Sequence, residues 1–176
     1  AGPPSLSATG TSPACAGTNN GSISASATGG AAPLQFNLNG GAFQVSGLFS
    51  GLAPGTYTVS VRDAAGCTDD QQVVLSSPTA ITATANVTNI TCGGLTNGSV
   101  TVNASGGAAP LTYSIGGAFQ ASNVFGSLAA GNYTIRVRDA NACETTVQAN
   151  VTAPAALTLS AQVDTDPCSV GASTTI

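Results

Sequence analysis

Gly131-Asn132-Tyr133-Thr134-Ile135-Arg136-Val137-Arg138-Asp139-Ala140-Asn141-Ala142-Cys143 decides the fold. Tyr133, Ile135 and Val137 are apolar at alternate positions, with Thr134, Arg136 and Arg138 between them, the period of a strand with one buried face. Gly131 before it and Ala140-Asn141 after it read as turns. The same pattern stands earlier as Gly55-Thr56-Tyr57-Thr58-Val59-Ser60-Val61-Arg62-Asp63, closing at Cys67. A tyrosine entering a late strand just after a glycine turn resembles the tyrosine corner of immunoglobulin-like sandwiches.

The duplication extends outward from this strand in both directions. Cys15, Gly29-Gly30 and Ala31-Ala32-Pro33-Leu34 recur 77 positions later as Cys92, Gly106-Gly107 and Ala108-Ala109-Pro110-Leu111. After a one-residue deletion the offset is 76, carrying Gly41-Ala42-Phe43-Gln44 to Gly117-Ala118-Phe119-Gln120, Pro78 to Pro154 and Cys92 to Cys168. A period this long is one small domain per repeat rather than a turn of a solenoid. Alternation also marks Ile81 to Val87, Val100 to Ala104, Leu111 to Ile115 and Val147 to Val151, and no window sustains a 3.6-residue period. With a short strand or two around Phe119 and Phe125, each repeat is expected to hold about seven strands. The expected fold is all-β: tandem immunoglobulin-like β-sandwiches over residues 3–77 and 78–153, with residues 154–176 opening a third repeat. Only five residues separate Leu75 from Ile81, a joint expected to limit bending between neighbours.

Composition narrows the function. Arg62, Arg136 and Arg138 are the only basic residues and the net charge is −4. That excludes a nucleic-acid ligand and a polybasic lipid contact. No apolar run approaches a membrane span. There is no histidine and no Cys-x-x-Cys pair, so zinc sites of the usual spacing are out. The absence of lysine excludes a Lys–Asn isopeptide staple. No histidine base or lysine nucleophile exists to build an active site, so no enzyme and no cofactor are expected. The metal candidates reduce to Asp63, Asp69 and Asp70, a weak calcium set whose second copy offers only Asp139 and Glu144. All eight aromatics fall at equivalent positions in both copies (Phe36 with Tyr113, Phe43 with Phe119, Phe49 with Phe125, Tyr57 with Tyr133) and read as core. That leaves none for a sugar- or base-stacking platform. Asn20, Asn86, Asn89, Asn97, Asn103, Asn132 and Asn150 head glycosylation sequons.

The five cysteines read as disulfides in a chain outside a reducing cytosol. An up-and-down chain is expected to bring the end of the first strand and the end of the sixth to one end of the sandwich. That predicts Cys15–Cys67 and Cys92–Cys143 within the domains, with Cys67–Cys92 as the rival. Closing a loop of about 50 residues contributes on the order of 4 kcal/mol in the chain-entropy account. Cys168 has no expected partner in this chain.

The block Gly-Gly-Ala-Ala-Pro-Leu, then Gly-Ala-Phe-Gln, then Gly-x-Tyr-Thr-x-x-Val-Arg-Asp-Ala-x-x-Cys covers residues 29–67 and 106–143 and resembles the SprB repeat. That resemblance implies export and display on the surface of Bacteroidota, in long proteins that include a gliding-motility adhesin. The expected function is then a structural and adhesive stalk whose partners are neighbouring repeats, other copies and surface or glycan substrata. Two alternatives are a fibre subunit that lends residues 157–176 as a strand to its neighbour, and a glycan- or calcium-binding module.

Overall fold

The computed structural model describes residues 2–155 and 157–160. Repeat 1 folds as six strands: β1 Ser5–Thr11, β2 Gly21–Thr28, β3 Gln35–Leu38, β4 Leu48–Leu52, β5 Gly55–Arg62 and β6 Thr68–Leu75. Repeat 2 repeats them as β7 Thr82–Thr88, β8 Gly98–Ser105, β9 Thr112–Ser114, β10 Val124–Leu128, β11 Gly131–Arg138 and β12 Glu144–Val151. Each copy makes two three-stranded antiparallel sheets, ordered β1-β2-β4 and β3-β5-β6, then β7-β8-β10 and β9-β11-β12. The described residues are all-β, a tandem of immunoglobulin-like sandwiches.

The alternating residues meet between the sheets. In repeat 2 Val100, Val102, Ile135 and Val137 are fully buried, joined by Ile90, Tyr113, Phe125, Ala149 and Val151. In repeat 1 Ile23, Val59, Val61 and Leu75 play that part with Ala8 and Val73. The two clusters share no residue, so each sandwich holds its own apolar interior. Tyr57 and Tyr133 form the corner expected of them. The Tyr57 hydroxyl donates to the Ala53 carbonyl at 2.8 Å and the Tyr133 hydroxyl to the Ala129 carbonyl at 2.9 Å, fixing the reversal from one sheet to the other.

The seventh strand is reduced to a single bridge, Phe36 with Gln44 in repeat 1 and Tyr113 with Gln120 in repeat 2. Local side-chain bonds compete with a ladder there. Gln120 Nε2 donates to the carbonyls of Ser122 and Val124, and Ser122 Oγ accepts the Val124 N–H, turning the chain back toward β10.

The edge strands β1 and β6 lie side by side and run in the same direction. The Leu6 N–H donates to the Asp69 carboxylate at 2.8 Å, Gln71 exchanges bonds with the Ala8 backbone, and Ser12 meets Ser76. Both residue numbers rise together along this edge. The start of β1 therefore shares a pole with the start of β6, and their ends share the other pole. Repeat 2 closes the same edge differently, with Asn89 Oδ1 accepting the Thr152 N–H and the Ile90 N–H donating to the Thr152 carbonyl.

Candidate functional site at the joint between the repeats

The pole geometry decides the cysteines. β1 runs up and β6 runs parallel to it, so β5, antiparallel to β6 and ending just before Cys67, runs down. Cys15 therefore lies at the C-terminal pole of repeat 1 and Cys67 at its N-terminal pole. The expected Cys15–Cys67 and Cys92–Cys143 bridges do not form, and neither does Cys67–Cys92. Cys15 is instead bonded to Cys143, with an S–S distance of 2.00 Å and Cα atoms 5.5 Å apart. The bond joins the C-terminal pole of repeat 1 to the N-terminal pole of repeat 2. Cys67 and Cys92 are exposed thiols on the two outer poles, and Cys168 lies outside the described residues.

Each half of the joint is held before the bond is made. Cys15 follows β1 in a loop pinned by Asn20, whose Oδ1 accepts the Ala14 N–H and the Thr18 hydroxyl, while Thr18 caps the Cys15 carbonyl through both N–H and hydroxyl. Cys143 sits in the β11–β12 turn. Its N–H donates to Asp139 Oδ1 at 2.8 Å, and the Asp139 backbone N–H donates to the Cys143 carbonyl in return at 3.0 Å. The other Asp139 oxygen accepts the Ala108 N–H at 3.0 Å, tying this turn to the β8–β9 loop. That loop in turn presses on the strand that enters repeat 2. Gly107 N–H donates to the Thr79 carbonyl, and a Cβ at Gly106 would lie 2.0 Å from the Ala80 carbonyl oxygen. Gly106 has φ +79°, so both the conformation and the close approach call for glycine.

The Ala108 N–H is the main cause holding the buried Asp139 carboxyl below the ordinary aspartate value; burial opposes it, and the N–H groups of Cys143 and Asn141 reinforce it. Asp63 is lowered in the same way, first by Ala31 and then by Cys67 and neighbouring turn amides against burial. A hollow of about 470 Å³ lies in the joint, with Cys15, Pro78, Ile81, Asp139 and Cys143 on its walls. Asn141 Nδ2 donates across it to the Ala14 carbonyl.

The calcium candidates are used otherwise. Asp63 is occupied by backbone N–H groups of Ala31, Ala65 and Cys67, and Asp69 clasps Leu6 and the Asp70 N–H. No group of three metal-binding side chains forms among the described residues, so Asp63, Asp69 and Asp70 are not brought together as a site. Among the sequons, Asn20, Asn89, Asn97, Asn132 and Asn150 are engaged in hydrogen bonds, Asn132 and Asn150 with each other. Asn86 and Asn103 are exposed on β7 and β8.

Phe43 and Phe119, expected in the core, lie half-buried outside the apolar clusters. Arg62 covers the Phe43 ring at 4.1 Å from its centroid, and Arg138 covers Phe119 at 3.8 Å. Glu144 pairs with both Arg136 and Arg138 at 2.6 Å. The signal in the sequence was the arginine phase, since Arg62 and Arg138 stand on the outward positions of their strands.

The chain is similar to known proteins at the level of its repeats. The SprB repeat family matches residues 7–43 and 84–118, the same portion of each copy. No curated protein matches it. Among solved structures it is similar to the fibronectin(III)-like modules of Clostridium thermocellum CbhA, at 14% identity and TM-score 0.35, over 84% of this chain and 95% of that one. It is also similar to Sidekick-1 immunoglobulin domains 1–5 (15% identity, TM-score 0.31, 86% of this chain and 39% of that one). A third is the N-terminal four Ig domains of Dscam1 isoform 1.9 (18% identity, TM-score 0.30, 86% and 38%). The chain thus spans under half the length of the latter two.

Proposed function

We propose that this chain, a tandem of SprB repeats, is a stiff spacer segment of an exported protein displayed on a cell surface, holding an adhesive end away from the envelope. The observation that carries this reading is the bond from Cys15 to Cys143, which crosses from one self-contained sandwich to the next. A bridge inside a domain would stabilise that domain alone. A bridge between domains, beside a linker of five residues from 76 to 80, restricts how the two can swing. Disulfide use fits a compartment outside the reducing cytosol. No helix of the described residues is long and apolar enough to cross a membrane.

Imaging of the native parent protein tests the proposal. A filament with an axial step of one or two sandwiches supports it. Single copies arranged around a catalytic body count against it.

One observation bears on a second reading, that of a strand lent to a neighbouring copy. Leu157 and Leu159 are wholly exposed and stand where Ile81 and Ala83 pack into the interior of repeat 2. A strand carrying them needs a sandwich to complete, either the third repeat in the same chain or a neighbouring copy. The first is preferred, because a leader of the same spacing already enters its own sandwich at Ile81. Residues 161–176 lie outside the described residues.

A further inference from the structure

We infer that the two outer poles are unmated halves of the same joint: Cys92 and Cys67 each bond the matching cysteine of an adjoining sandwich of this kind. The inference deepens the spacer reading and rests on it.

Repeat arithmetic gives the pairing. Cys15 corresponds to Cys92 and Cys143 to Cys67, so the one complete joint bonds a first-position cysteine to the second-position cysteine of the following repeat. Applied along the array, Cys92 takes the second cysteine of the repeat after it. Cys67 takes the first cysteine of the repeat before it. Both thiols lie exposed at the poles where those neighbours would sit.

Each outer pole is already built like its mated counterpart. The hollow beside Cys92 is lined by Thr91, Cys92, Gly93, Pro154, Ala155 and Leu157. Every one of these occupies the position of a residue lining the mated joint: Ala14, Cys15, Ala16, Pro78, Thr79 and Ile81. The volumes agree as well, about 450 Å³ against about 470 Å³. The Cys92 loop carries the same restraints, with the Leu95 N–H on the Cys92 carbonyl at 3.3 Å, matching Thr18 on Cys15, and Asn97 fastening Thr91 as Asn20 fastens Ala14. At the other end the Cys67 N–H donates to Asp63 Oδ1 at 2.8 Å, the distance found for Cys143 and Asp139. A cysteine held this way loses little further freedom when its partner arrives.

The chemistry is thiol–disulfide exchange with a small disulfide oxidant such as oxidised glutathione. One cysteine thiolate attacks the glutathione S–S bond and expels a glutathione thiolate. The second cysteine then displaces the other glutathione. Two protein thiols and one oxidised glutathione become one protein disulfide and two reduced glutathiones.

Duplicating residues 78–153 in place within the full chain tests this, because it adds one joint and two cysteines. After oxidation in a glutathione buffer, the number of titratable thiols should equal that of the unextended chain. With the added copy marked by Thr91→Ser and Thr145→Ser, peptide mapping should join the unmarked Cys92 peptide to the marked Cys143 peptide. Two additional thiols, or a bond inside one repeat, overturn the inference. If the extended chain does not fold, C67S and C92S variants of the unextended chain decide, both carrying C168S. Mixed, they should give a dimer joined Cys92 to Cys67 at least about tenfold in excess of what either gives alone, and a mixed dimer no more abundant than the self-dimers overturns the inference. These readouts concern bond connectivity alone, so they can fail while a filament is still observed, and a missing filament leaves them unchanged.

Discussion

The Asp139 carboxylate accepts the Ala108 N–H at 3.0 Å, and Asp63 meets the Ala31 N–H at 2.9 Å in the same way. One buried carboxylate per repeat thus ties the loop after the second strand to the turn that presents the second cysteine.

Both carboxyls lie below the ordinary aspartate value of 3.8 in the folded chain. A depressed native pKa means that the unfolded chain takes up protons first, so this stabilisation is complete above the ordinary carboxylate range. It is lost as the pH falls through that range and on through the native values. Urea midpoints measured from pH 7 to pH 2 should stay level to about pH 5 and then fall. Asp139→Asn should bring part of that loss to neutral pH, because an amide sets its own N–H against those of the turn. A lowering of the melting temperature by about 5 °C or more is expected.

Removing the corner hydroxyl should cost about 1 kcal/mol in repeat 1, the typical value of one hydrogen bond. Tyr57→Phe leaves the Ala53 carbonyl without its partner at a part-buried site. The Tyr133 bond is more exposed, so Tyr133→Phe should cost less. Chemical denaturation of the two variants checks the order, and equal effects would count against the burial argument.

Cys15→Ala should leave both sandwiches folded and loosen the joint. The interiors share no residue, so far-ultraviolet circular dichroism should be unchanged. Small-angle scattering should show a broader spread of end-to-end distances, and thermal unfolding should separate into two transitions. Closing a loop of 128 positions corresponds to about 5 kcal/mol in the chain-entropy account, an upper limit for the loss of stability.

Asn37 is buried with its side-chain oxygen unpartnered. Repeat 2 has Ser114 at the same place, donating to the Gly117 carbonyl at 2.7 Å. Asn37→Ser removes a buried orphan acceptor, so the melting temperature should hold or rise. A fall of several degrees would mean that Asn37 contributes packing the serine cannot replace.

Strand phases were legible in the sequence because a half-buried strand writes its burial at every second residue, and the Gly-x-Tyr spacing carried the corner. Phe43 and Phe119 depart from the expected core because they lie outside any ladder, where alternation has no meaning, and their arginine neighbours arrive from a distant strand. The cysteine pairing failed on direction rather than chemistry. Which pole a loop occupies follows from strand direction, and the parallel contact of β1 with β6 fixes it through Leu6, Ala8 and Ser12. The cross-repeat rival, Cys67–Cys92, joins the two poles that face away from the joint, whereas the observed bond joins the two that meet there.

The Cys15–Cys143 bond also changes what happens when the molecule is pulled from its two ends. The covalent route runs from residue 15 directly to residue 143, so tension bypasses everything between them, including β2 to β11. Even with both sandwiches unravelled, a contour of 128 positions stays withheld as slack, on the order of 400 Å of extended chain. The tether therefore pays out only the residues outside the loop, far less chain than an unbridged pair releases under the same force.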